Sequence, residues 1–120
     1  MNYEFDNNVP IYIQLVEILK KEIIKGILEP GERIPSVRDL AFKLKVNPNT
    51  LQKALGELEE MKLIYTERTN GKFVTNDYKL INKFKEKYAN KLVDKFINDM
   101  KSIGMDKNEI IKYINGKGVE

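Results

Sequence analysis

The chain has 120 residues, enough for one core of ordinary size, and balances 21 Lys and Arg against 18 acids for a net charge of only +3. It contains neither histidine nor cysteine, which removes the commonest general base, the thiolate nucleophile, thiolate metal sites and disulfides. Without a run of about 18 apolar residues or a basic-then-apolar start in MNYEFDNNVP, the expectation is a cytoplasmic, non-membrane protein.

From Pro10 to Lys25 the apolar residues Ile11, Tyr12, Leu15, Ile18, Leu19 and Ile23 recur at helical spacing, with Pro10 at the start and Gly26 as the stop. Pro30-Gly31 marks a turn. Ser36-Val-Arg-Asp39 then opens a short helix as a capping box would, and Leu40, Ala41 and Leu44 form its apolar stripe. After a turn at about Lys45-Val46, Asn47 caps a longer helix with Pro48 in its first position, where a missing N–H costs nothing. Leu51, Ala54, Leu55, Leu58 and Met61 give that helix one buried face.

The period changes after Lys62. Leu63–Thr66 and Lys72–Thr75 read as short strands around Asn70-Gly71, a two-residue hairpin signal. Beyond Asp77 a long amphipathic helix carries Leu80, Phe84, Tyr88, Leu92, Phe96 and Met100 at intervals of four. Gly104 interrupts it, and Asp106–Glu109 caps a last short helix. There is no internal repeat and no low-complexity linker. The fold class expected is mainly α with a small β-hairpin wing. It would comprise a winged helix-turn-helix domain over residues 1–77 and a two-helix tail over 78–120.

Two short helices in this order, followed by a hairpin, form a device for reading DNA. Charge is distributed accordingly. Arg33, Arg38, Lys43, Lys45 and Lys53 face only Asp39 between residues 33 and 56, and no acid occurs from Leu40 through Gly56. Asn47, Pro48, Asn49, Thr50, Gln52 and Lys53 occupy the start of the second helix, where amide and hydroxyl groups can meet base edges and helix amides can meet phosphate. Arg38 offers bidentate geometry to phosphate or guanine. Arg33 suits a phosphate or a surface ion pair equally. At the hairpin tip, Arg68, Asn70, Gly71 and Lys72 are candidates for an adjacent minor groove.

The stripe from Leu80 to Met100 is about 30 Å long at 1.5 Å per residue, more than a small winged domain can cover. It is therefore expected to pair with a second copy, Leu80, Phe84, Tyr88, Leu92, Phe96 and Met100 forming the seam. No P-loop or dinucleotide fingerprint is present, and the carboxylates are scattered or grouped at Glu57–Glu60. The expectations are accordingly no catalytic residues, no metal and no cofactor. A winged-helix protein-interaction module, or a regulator gated by a small ligand at the dimer seam, are the alternatives.

The pattern Pro10-Ile-Tyr-Ile-Gln-Leu, Gly26-x-Leu-x-Pro-Gly-Glu-Arg-x-Pro-Ser-x-Arg-x-Leu-Ala41 resembles the GntR family of bacterial transcription regulators. Val46-Asn-Pro-Asn-Thr50, Lys53-Ala-Leu, Leu58-Glu59, Leu63-Ile64 and Phe73-Val74 continue it. The short tail is similar to that of the YtrA-like subfamily. This resemblance implies a homodimeric repressor of double-stranded DNA operators, often acting on its own operon and on ABC-type transporter genes. It also implies DNA contacts at Arg38, Asn47, Asn49, Thr50, Gln52 and the wing. Thr69-Asn70-Gly71-Lys72 stands where many members have Gly-x-Gly-Thr, and many longer members have an arginine where Pro48 or Gln52 stands.

Overall fold

The computed structural model describes residues 4–117. Five helices and one hairpin follow in the order α1 (Ile11–Lys25), α2 (Val37–Leu44), α3 (Pro48–Glu60), β1 (Ile64–Glu67), β2 (Gly71–Val74), α4 (Tyr78–Ser102) and α5 (Lys107–Asn115). They form two compact units, residues up to Asn82 and residues from Lys83 onward, so that the boundary falls within α4.

The first unit is organised around α3. Its buried face of Leu51, Ala54, Leu55 and Leu58 packs against α1, α2 and β1. Leu15, Val16, Leu19 and Ile23 of α1 and Leu40, Ala41 and Leu44 of α2 complete this core with Ile34, Leu63, Ile64, Val74 and Ile81. Burying a side chain of this size is worth about 1.5–3 kcal/mol, so the unit has the apolar content to fix the exposed face of α3 in place.

Local chemistry sets the helix ends. Gly26 adopts φ 84°, and its N–H returns to the carbonyls of Glu22 and Ile23 to stop α1. Ser36 Oγ accepts from the Asp39 N–H at 3.2 Å to begin α2. Among the described helices, the reciprocal capping box closes at α5, where the Asp106 and Glu109 side chains each accept from the other's backbone N–H. Lys45 takes the left-handed conformation (φ 57°) that turns the chain from α2 into α3.

The hairpin differs from expectation. Its register pairs Ile64 with Val74 and Glu67 with Gly71, so Arg68, Thr69 and Asn70 all lie in the loop. A two-residue Asn-Gly turn needs φ above zero at both residues, but only Gly71, at 100°, has it. Instead the Asn70 N–H closes a turn onto the Glu67 carbonyl, and Gly71 redirects the chain into β2.

A second feature of the hairpin has no counterpart in the sequence pattern. The stretch from Gly31 to Ile34 runs along β2: Gly31 N–H donates to Val74 O, Val74 N–H to Glu32 O, and Ile34 N–H to Lys72 O, at 2.8–2.9 Å. Glycine suits position 31 because its φ of 79° is left-handed, a conformation that other residues adopt at a cost.

In the second unit Ile110 is buried, whereas Leu92, Val93, Phe96, Ile103, Ile111, Tyr113 and Ile114 are exposed. Of the expected seam residues, Leu80, Phe84, Tyr88 and Met100 are half-buried, and Leu92 and Phe96 are 66% and 39% exposed.

Candidate nucleic-acid interface

The start of α3 presents the surface that the sequence suggests. Asn47 Oδ1 accepts from the Asn49 N–H at 2.8 Å, so the side chain caps the helix through its oxygen and leaves its amide NH2 outward. With Pro48 in the first turn and no acid there, this end carries the positive pole of the helix dipole unopposed. Asn47, Pro48, Asn49, Gln52 and Lys53 are exposed and Thr50 is half-buried. Helical geometry aligns Asn49, Gln52, Lys53 and Gly56 on one face, opposite the buried leucines.

Arg38 is exposed in the first turn of α2, the helix that the turn at Lys45 joins to α3. Arg38 and the polar start of α3 each present exposed hydrogen-bond donors. Such donors can take phosphate oxygens at the helix ends and base edges at the side chains.

Several cations expected to contact DNA have partners within the chain. Lys53 Nζ stands 3.8 Å above the Tyr12 ring, a cation–π contact that ties α3 to α1 while leaving the residue exposed. Arg33 Nε donates to Asn70 O at 2.8 Å, and the guanidinium lies against Gly71. Arg33 therefore holds the wing tip, a role that neither phosphate binding nor an ion pair anticipates. Lys72 Nζ donates to Thr66 Oγ1 at 3.0 Å and reaches Glu59 Oε1 at 3.4 Å. Asn70 Nδ2 donates to Glu67 Oε2 at 3.0 Å, and Arg68 is exposed at the tip.

The Glu59 carboxylate, near the end of α3, also accepts from the Thr66 hydroxyl. That bond first, and the Lys72 ammonium after it, outweigh desolvation and hold the Glu59 carboxyl below its ordinary value of 4.5. Tyr65 and Phe73 stack across the strands, with ring centroids 5.6 Å apart. The wing is thus tied to α3 on one side and to the Gly31–Ile34 stretch on the other. Sequence reading missed both ties because they join residues that are far apart in the chain. The one local hint was an acid, Glu59, ending a helix just before a hairpin that contains Thr66 and Lys72.

Among the described residues no helix is long and apolar enough to cross a membrane, and no cluster of acids suits a metal ion.

Comparison with known proteins agrees with this geometry. The family model described as bacterial regulatory proteins, gntR family, matches residues 11–74, which span α1 through β2. The HTH-type transcriptional repressor YtrA of Bacillus subtilis (strain 168) is 41% identical over 73 residues, covering 61% of this chain and 56% of that one. A GntR family transcriptional regulator from Listeria monocytogenes has a solved structure with a TM-score of 0.86 and 42% identity. That likeness covers 97% of this chain and all of the other, so it includes the tail. The DNA-binding domain of AraR in complex with operator ORR3 superposes with a TM-score of 0.53 and 31% identity over 62% of this chain and 88% of that one. With helix, turn, helix and wing in the family's order and its model matched from α1 to β2, this chain belongs to the GntR family and is a transcription regulator with a DNA-binding domain.

Proposed function

We propose that the protein is a cytoplasmic repressor that binds a pseudo-palindromic operator as a homodimer, one α3 entering the major groove of each half-site. The observation that carries this reading is the acid-free start of α3 with Asn49, Gln52 and Lys53 exposed, in a unit similar to a domain solved on operator DNA. In this reading Asn47, Asn49, Thr50 and Gln52 meet base edges, Arg38 meets phosphate or guanine, and Arg68 brings the wing tip to an adjacent groove.

The dimer rests on the second unit. Leu92, Val93 and Phe96 on α4, with Ile111, Tyr113 and Ile114 on α5, leave apolar side chains in water that a second copy would cover. Half-site centres then lie about one helical turn, or a multiple of it, apart. Repression follows from excluding polymerase, and the name of the relative YtrA, a repressor, supports that sign of regulation. The operon of the protein itself, and genes for an ABC-type transporter, are the targets proposed.

The test is fluorescence anisotropy on duplex from upstream of its own gene against a scrambled duplex, at two salt concentrations. Preference for the upstream duplex that survives higher salt supports a sequence-specific regulator. Equal, salt-sensitive binding to both removes the autoregulatory target and leaves the phosphate contribution alone. No binding to either removes the DNA reading.

A further inference from the structure

We infer that Glu59 is a positioning residue that fastens the wing to the recognition helix and keeps Lys72 off the phosphates, so that the wing meets DNA through its tip and not through Lys72. The inference rests on the DNA reading above and adds to it a division of labour among the wing's cations.

Three observations carry it. Glu59 stands in the last turn of α3, and its carboxylate meets two groups of the hairpin, the Thr66 hydroxyl on β1 and the Lys72 ammonium on β2. Thr66 and Lys72 are directly opposed in the strand register, so one carboxylate grips both strands at the same level. The Lys72 side chain is only 19% exposed, whereas Arg68 at the tip is exposed. A lysine held in this way has a carboxylate for its counter-ion already. Moving it to a phosphate would break its bonds to Thr66 and Glu59 and leave Glu59, a negative charge, facing the DNA.

The geometry also explains why an acid is tolerated close to a DNA-facing wing. Glu59 is partnered by Thr66 and Lys72, so its charge is neutralised locally and does not repel the duplex. The same bonds set the height of the wing relative to α3, and so how the tip reaches the neighbouring groove once α3 is seated. Arg33, bonded to the Asn70 carbonyl, steadies the tip as well.

Salt dependence of binding counts the cations that meet phosphate. The slope of log affinity against log salt changes by about 0.9 for each phosphate contact made or lost. Full-length wild type, Glu59→Gln, Lys72→Gln and the double variant are measured by anisotropy on the upstream and scrambled duplexes, with circular dichroism melts as a check on folding. The expected result is that Lys72→Gln leaves the slope within error of wild type. Glu59→Gln, whose amide oxygen can still accept from Thr66, frees Lys72 and steepens the slope by about 0.9 per protomer. It also lowers the preference for the upstream duplex several-fold. The double variant returns the slope to the wild-type value, which loss of structure alone would not do.

A slope that falls by about 0.9 per protomer in Lys72→Gln makes Lys72 a phosphate contact and overturns the inference. An unchanged slope and preference in Glu59→Gln overturn it equally. Wild-type protein that binds neither duplex removes the DNA reading itself, and this inference with it. That outcome is distinct from wild type binding while the variants behave alike.

Discussion

Asn47 caps α3 through one atom and, in the proposed function, meets a base edge through another, and substitution can separate the two. Its Oδ1 caps α3 through the Asn49 N–H at 2.8 Å, and its NH2 faces outward. Asn47→Ala removes both, and loss of a side-chain cap costs about 1 kcal/mol, within a range of about 0.5–2. For a domain of this size that lowers the melting temperature by roughly 4–8 °C. Asn47→Asp keeps the capping oxygen and adds a negative charge at the positive end of the helix, so its stability should equal or slightly exceed that of wild type. In the proposed function the same charge would face the DNA. Loss of the amide contact alone should cost about 1–3 kcal/mol, or roughly 5- to 150-fold in affinity, and repulsion should add to it. Thermal melts and operator anisotropy on the two variants therefore give opposite rankings. Asn47→Ala is the less stable of the pair, and Asn47→Asp is the weaker binder. Wild-type affinity in Asn47→Asp would refute the placement of the α3 start against DNA. An unchanged melt in Asn47→Ala would refute the energetic role of the cap.

Arg38→Ala should weaken operator binding by about 1–3 kcal/mol with no change in melting, and equal affinity by anisotropy would remove Arg38 from the interface. Replacing Leu92 and Phe96 together with Glu should give monomers in light scattering and at least tenfold weaker operator binding; a surviving dimer would place the seam elsewhere. Gly56 lies on the exposed face of α3, where an added Cβ meets nothing within 4 Å, so Gly56→Ala should raise stability by about 0.4–1 kcal/mol in denaturant melts. Glu59 has a folded-state pKa below its ordinary 4.5, so its contribution to stability is complete above that value and is lost as pH falls through the folded pKa. Stability measured from pH 5 downward should therefore decline less steeply in Glu59→Gln than in wild type, and parallel curves would count against the Thr66–Glu59–Lys72 bonds.

Much of this protein was legible as sequence because its signals are local. Apolar residues at three and four apart mark α1, α3 and α4, and Ser36, Asn47 and Asp106 are caps whose oxygens act within two or three residues of themselves. The two short helices, the turn between them and the acid-free start of α3 follow from those signals, and the family pattern reinforced them. What failed locally was the hairpin. Asn70-Gly71 is a turn dipeptide in isolation, yet the register placed three residues in the loop and assigned the positive φ to glycine alone. Pairing of the flanking strands with each other and with the Gly31–Ile34 stretch outweighed the preference of the dipeptide.

The roles of the charged side chains were decided by tertiary structure. Nothing in composition distinguishes Arg38, exposed on α2, from Arg33, bonded to Asn70 O across 37 residues, or Arg68 from Lys72. A cation on a polar surface costs little to place almost anywhere, so local sequence does not constrain its partner. Its role depends on which distant acceptor the packing of the core brings within 3–4 Å. The sequence alone therefore determined the helices, their caps and the family; only the tertiary packing decided which distant groups Arg33, Lys53 and Lys72 meet.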